Sequence, residues 1–172
     1  MDNQQEIPKE QLAYLGGLID GEGCVSFNVN RKHGRANDQS FQIAPLVSFT
    51  NTEKMLVDQY CGILDALGVG RYINHRIAHG RNAESWQVVT NGLKRTVKLL
   101  PYLVEWCRGK KKQNAADVLE YCTSRLADWT GAPFTQRQLE IVEAVQARNY
   151  GGKGSILRDY TRSNRSSKFP NG

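Results

Sequence analysis

The chain has 172 residues, enough for one domain with its own core and no need of disulfide or metal staples. Its 40% hydrophobic content excludes a disordered chain, and its apolar runs are far too short to span a membrane. A formal net charge of +6 points to polyanionic partners, nucleic acid first among them. No secretory signal is evident, so an intracellular setting is expected, in cytoplasm, nucleoid or an organelle matrix.

Residues 1–10 are polar and read as a flexible N-terminus. From Gln11 to Asp20, Leu12, Leu15 and Ile19 recur at helical spacing around the small Gly16 and Gly17, and Gly21 and Gly23 are expected to end that helix. Strict alternation follows. Val25, Phe27 and Val29 form one face of a strand, and Ser26, Asn28, Asn30 and Lys32 the other. After a turn-rich loop at 33–40, a second strand sets Phe41, Ile43, Pro45, Val47 and Phe49 against Gln42, Ala44, Leu46 and Ser48. Pro45 lacks a ladder donor, so this strand is expected to be an edge or to bulge there. Residues 52–67 read as a helix capped by Asn51 or Thr52 and stopped by Gly68. Strands are expected at about 71–77 and 84–90, then helices at about 92–104, 109–127 and 135–148, with Pro101 interrupting the first of these. The segment 149–172 reads as a basic tail, with five basic residues against one acid.

This order predicts an α+β fold: two antiparallel hairpins in a four-stranded sheet, helices on one face and a polar second face. The domain is expected to span 11–148. Cys24, Cys61, Cys107 and Cys122 have no metal-site spacing and read as free thiols.

Residues Leu15 to Gly23, LGGLIDGEG, combine two features. Glycines inside a helix cost about 1 kcal/mol each against Ala, yet they allow another backbone to come close. Asp20 and Glu22 at a helix C-terminus oppose the helix dipole, yet two carboxylates beside a sharp turn suit a hard cation. A sequence that accepts both costs gains something from its tertiary setting.

This nonamer resembles the LAGLIDADG motif, with Gly for Ala at two positions and Glu for Asp at a third. The chain is similar to the single-motif homing endonucleases encoded in introns. The α-β-β-α-β-β-α order over roughly 11–148, the LGVG run at 67–70 and the KKKQ run at 110–113 extend the likeness. The resemblance implies a sheet that forms a DNA-binding saddle. It also implies a homodimer built on the motif helix, with Leu12, Leu15, Gly16, Gly17 and Ile19 at the interface. It implies Mg2+, with Mn2+ or Ca2+ as substitutes for binding, held by Glu22 with Asp20 and Gly21. Glu22 stands where the motif has Asp and adds one methylene to the ligand's reach. Asn51, Lys54 and a lysine of the KKKQ run, Lys110 with Lys112 as the fallback, complete the implied catalytic set.

In such a protein the polar face enters the major groove of double-stranded DNA. Strand parity then nominates Ser26, Asn28, Asn30, Lys32, Gln42, Ala44, Ser48, Asn74, Arg76, Ser85 and Gln87 for the bases. Arg31, Arg35, Lys112 and the tail basics are nominated for phosphates. The implied activity is a metal-dependent double-strand break in a long near-palindromic site. The same basic surface also suits an intron RNA, which makes an RNA-binding group I intron maturase the alternative. A third reading is a DNA-binding regulator without chemistry.

Overall fold

The computed structural model describes residues 7–33, 39–128 and 132–151, without the side chains of 31–33 and 39–41. Residues 1–6 of the N-terminus, Arg35 and the basic segment from 152 onward lie outside the described residues, as do the side chains of Arg31 and Lys32.

Nine elements follow one another among the described residues: α1 (Lys9–Glu22), β1 (Gly23–His33), β2 (Gln39–Asn51), α2 (Lys54–Ala66), β3 (Tyr72–Arg76), β4 (Ser85–Asn91), α3 (Leu93–Trp106), α4 (Gly109–Ala127) and α5 (Gln136–Tyr150). The fold is α+β. Four strands form one antiparallel sheet in the order β1-β2-β4-β3. No helix among the described residues is long and apolar enough to cross a membrane.

The period-two pattern settles which face is which. Val25, Phe27, Val47, Phe49 and Val88 are buried beneath the helices, joined by Leu15 and Ile19 of α1, Leu64 of α2, Leu99 and Leu103 of α3, Val118 of α4 and Val142 of α5. Phe27 meets Tyr121 edge-on at 4.7 Å between ring centroids, and Phe49 tilts against Tyr60 at 4.8 Å. Partners across the ladder share a face, so Asn28 opposite Ala44, Asn30 opposite Gln42 and Gln87 opposite both Thr50 and Asn74 all point away from that core.

Two prolines behave differently from expectation. β2 is an interior strand with no bulge in its register, not an edge. Its pairing with β4 begins only at Leu46, so Pro45 sits one residue outside that ladder. The Pro45 carbonyl takes the Gly92 N–H at 3.1 Å, and its nitrogen points to the same unpaired side. Pro101 does not interrupt α3 either. It lies exposed within a continuous helix that Leu99, Leu100 and Leu103 anchor to the core.

Among the described residues the outer edge of β1 has no neighbouring strand, and helix side chains take its place. Lys111 donates to the Gly23 carbonyl. Asn114 and Asn149 both donate to the Val25 carbonyl, at 3.2 and 3.0 Å, and Gln146 reaches the Phe27 carbonyl at 3.5 Å. Three carbonyls at two-residue steps are thus closed to any further strand. Asn114 is wholly buried and also accepts from Arg148 Nε at 2.7 Å, while Arg148 is ion-paired with Asp117. Asn149 and Tyr150 therefore belong to α5 rather than to a tail. Asn114→Leu leaves the Arg148 guanidinium short of an acceptor in a half-buried site. It is expected to cost about 2 kcal/mol of stability, read as a shift in the urea midpoint at unchanged slope.

All four cysteines are free thiols, Cys61, Cys107 and Cys122 buried and Cys24 partly so. Burial and then the charge of Asp20 push the Cys107 thiol up to about 12, so it stays protonated and donates to the Gly16 carbonyl.

Candidate active site

The glycines of LGGLIDGEG have separate uses. A methyl group on Gly16 would stand 2.6 Å from the Trp106 carbonyl oxygen, so Gly16 is where α1 and the end of α3 touch. Gly23 is closed to a side chain by the Ile19 backbone at 2.6 Å, which lets β1 leave α1 at once. A methyl group on Gly17 would meet nothing within 4 Å beyond its own helix backbone, and the residue is exposed. Of the residues expected at an interface on α1, Leu15, Gly16 and Ile19 are buried in the chain's own core, while Leu12 is half-covered. The open line of the helix is Ala13, Gly17 and Gly21, at four-residue steps.

The helix continues past Gly21 to Glu22, with Gly23 donating to Ile19 O as the last cap. Asp20, Gly21 and Glu22 then hold the helix's unpaired carbonyl end, and no basic residue lies in that last turn. The two acids differ in occupation. Both oxygens of Asp20 accept the Arg108 N–H, at 3.1 and 3.0 Å, and so fasten the start of α4 to the end of α1. Glu22 is exposed, and no side-chain hydrogen bond or ion pair engages it among the described residues. One chain groups fewer than three His, Cys, Asp or Glu side chains at any one place among the described residues. A cation here needs donors from elsewhere.

Of the three lysines opening α4, Lys111 is the one that returns to this corner. Its ammonium donates to the carbonyl of Gly23, next to Glu22, while Lys110 and Lys112 are exposed. Helical phase held the signal, because Lys111, Asn114 and Val118 share the stripe that packs on β1. Cys24 lies in the same corner. Burial raises its thiol pKa, and the charges of Lys111 and Lys110 pull it partly back. Asn51 ends β2 with its Oδ1 taken by the Glu53 N–H at 2.8 Å, an Asx turn leading into α2. Lys54 opens α2 and is ion-paired with Asp58 one turn on.

The face away from the helices collects Ser26, Asn28, Asn30, Gln42, Ala44, Ser48, Asn74, Arg76, Ser85 and Gln87 in one register, with the Lys32 position opposite Ser40. Asn28, Asn30, Gln42, Asn74 and Arg76 are exposed, whereas Ser26 and Ser48 are buried among their neighbours. Leu46 lies on this face as expected, and parity adds Thr50, Tyr72, Val89 and Asn91.

The family model described as a LAGLIDADG-like domain matches residues 9–103. No curated protein matches the chain. Among solved structures, the homing endonuclease I-CvuI in complex with its target superposes with a TM-score of 0.63 at 17% identity, over 90% of this chain and 91% of that one. The homing endonuclease I-TnaI gives 0.58 at 15%, over 90% and 96%. The group I intron-encoded homing endonuclease I-CeuI with DNA gives 0.64 at 12%, over 81% and 68%.

Proposed function

This chain belongs to the family of LAGLIDADG-like domains, and from that premise we propose that it is a site-specific homing endonuclease. It acts as a homodimer that breaks both strands of a long, near-palindromic DNA site with the aid of Mg2+. The observation that carries this is the end of α1, where the unengaged carboxylate of Glu22 stands at the negative pole of a helix with no cation in its last turn. Such a corner favours added positive charge.

The donor set fits a hard cation. Glu22 offers a free carboxylate, and Gly21 a carbonyl without a helical partner, while Asp20 is occupied in holding the start of α4. A second copy brought in along Ala13, Gly17 and Gly21 doubles the set. What a bound Mg2+ supplies there is Lewis acidity, giving a more acidic water and less charge on the departing oxygen. Lys111 places an ammonium beside the same corner, suited to neutralise a scissile phosphate. Lys110 and Lys112 offer exposed charge to flanking phosphates. Asn51 keeps its amide N–H2 for a water at the end of β2, and Lys54 would reach a phosphate only by leaving Asp58. I-CvuI has been determined with DNA in the presence of Ca and of Mg, ions of the class proposed for this site.

The open sheet face is suited to the major groove, with Asn and Gln reading adenine and Arg76 guanine. The Lys32 position shares that face and its role, while Arg31, Arg35 and the basic segment after 152 add phosphate contacts. Two such faces cover roughly 10 base pairs each. Affinity is expected to fall at least about a thousandfold between roughly 50 and 200 mM salt. Fluorescence anisotropy on a bound duplex checks this, and a flat salt profile contradicts it. The activity itself is tested by incubating the protein with a library of near-palindromic duplexes, with Mg2+ and with EDTA. Enrichment of one site cut on both strands only with Mg2+ is expected. Protection of an intron RNA without any DNA cleavage overturns the reading in favour of a splicing cofactor.

A further inference from the structure

The open face of the sheet is not uniformly polar. Leu46 lies opposite Ser26 on one side and Asn91 on the other, and Val89 lies opposite both Ser48 and Tyr72. Leu46 is diagonal to Val89, close enough for side chains to meet, so Leu46, Val89 and Tyr72 cross three strands as one apolar strip. Val89 is only 3% exposed, yet it lies outside the main cluster of core side chains, on the other face from the fully buried Val88. Leu46 is half-buried and also stands outside the core, and Tyr72 is 42% exposed. Val89 is itself covered, and Leu46 and Tyr72 keep the exposed surface of the strip. Its surroundings are amides: Asn28, Asn91, Gln87 and Asn74, the last donating to Gln87 at 3.5 Å.

An apolar patch rimmed by polar groups marks a contact surface. In the major groove the apolar group presented by an unmodified base pair is the C5-methyl of thymine, and the edge suited to Asn and Gln is that of its partner adenine. Resting on the reading that this face lies in that groove, we propose that Leu46 and Tyr72 determine specificity for A·T pairs. They take the thymine methyls while the neighbouring amides take the adenines. Val89 lies beneath them as a fixed floor.

Deoxyuridine in place of thymine removes the methyl and leaves every hydrogen-bonding group unchanged, so it isolates this contact. The probe is the duplex enriched from the library, with each thymine replaced singly. For the native protein, at least one position in each half-site is expected to lose about fourfold in affinity, the worth of one buried methyl-sized group. With Leu46→Ala or Tyr72→Ala the loss at that position should disappear, and Leu46→Met, which keeps the apolar reach, should retain it. Two results overturn the proposal in a protein that still binds and cuts the duplex: no thymine at which the methyl matters, or an unchanged methyl effect in both alanine variants. A protein that enriches no duplex at all overturns instead the endonuclease reading beneath it, and the proposal with it.

Discussion

Glu22→Gln is expected to leave the fold and DNA binding intact while slowing Mg2+-dependent cleavage by more than about a hundredfold. Loss of a residue that merely orients a metal ligand already costs about 10–100-fold, and a direct ligand should cost more. The change is isosteric and falls on an exposed side chain that no described residue holds, so no packing is lost. It also removes a negative charge from a helix C-terminus, which by itself adds about 0.3–1 kcal/mol of stability. A characteristic pair of results follows. Without metal the variant melts no lower than the native protein, and added Mg2+ raises the native melting temperature but not the variant's. Single-turnover cleavage and thermal melts with and without Mg2+ measure both. A variant that cuts at the native rate removes Glu22 from the chemistry.

Gly16→Ala and Gly17→Ala should differ sharply although the residues are adjacent. Both changes gain about 1 kcal/mol of helix propensity. At position 16 the new methyl meets the Trp106 carbonyl at 2.6 Å, backbone that cannot swing aside. Overpacking of this kind costs about 1–3 kcal/mol, and a backbone contact lies at the upper end. A net loss of about 2 kcal/mol is expected, a fall of roughly 4–8 °C in Tm. At position 17 the methyl meets nothing in the chain, so the fold is unchanged or slightly stabler. Gly17→Leu carries the second half of the argument: the monomer should still fold, but the homodimer should dissociate and double-strand cleavage should be lost. Differential scanning calorimetry and sedimentation velocity separate the two effects. Equal destabilisation by the two alanines would contradict this division of labour, and a dimeric Gly17→Leu would move the interface off this face of α1.

Much of the fold was legible because burial follows period. The alternation of Val25, Phe27 and Val29 with Ser26, Asn28 and Asn30 located both faces of β1, and the register carries the same parity through all four strands. What was not legible depended on partners distant in the chain. Nothing near Gly16 announces Trp106, whose carbonyl leaves no room for a side chain there. Asn149, followed by glycines, looked like the start of a tail because its bond to the Val25 carbonyl joins residues 124 positions apart. Lys110 and Lys111 differ by one step of a helix, about 100 degrees of rotation, and only contact with β1 shows which lysine returns to the motif. Pro45 looked like an edge signal, and its place depends on where β4 stops pairing.

In the proposed enzyme the Glu22 carboxylates of two chains hold the cation that serves the scissile phosphates. Anomalous scattering from Mn2+ in crystals of the protein with its enriched duplex tests it most directly. Mn2+ peaks in direct coordination to Glu22 of both copies and to backbone phosphates are the expected result. A peak away from Glu22, or two copies whose motif helices do not meet, would contradict it.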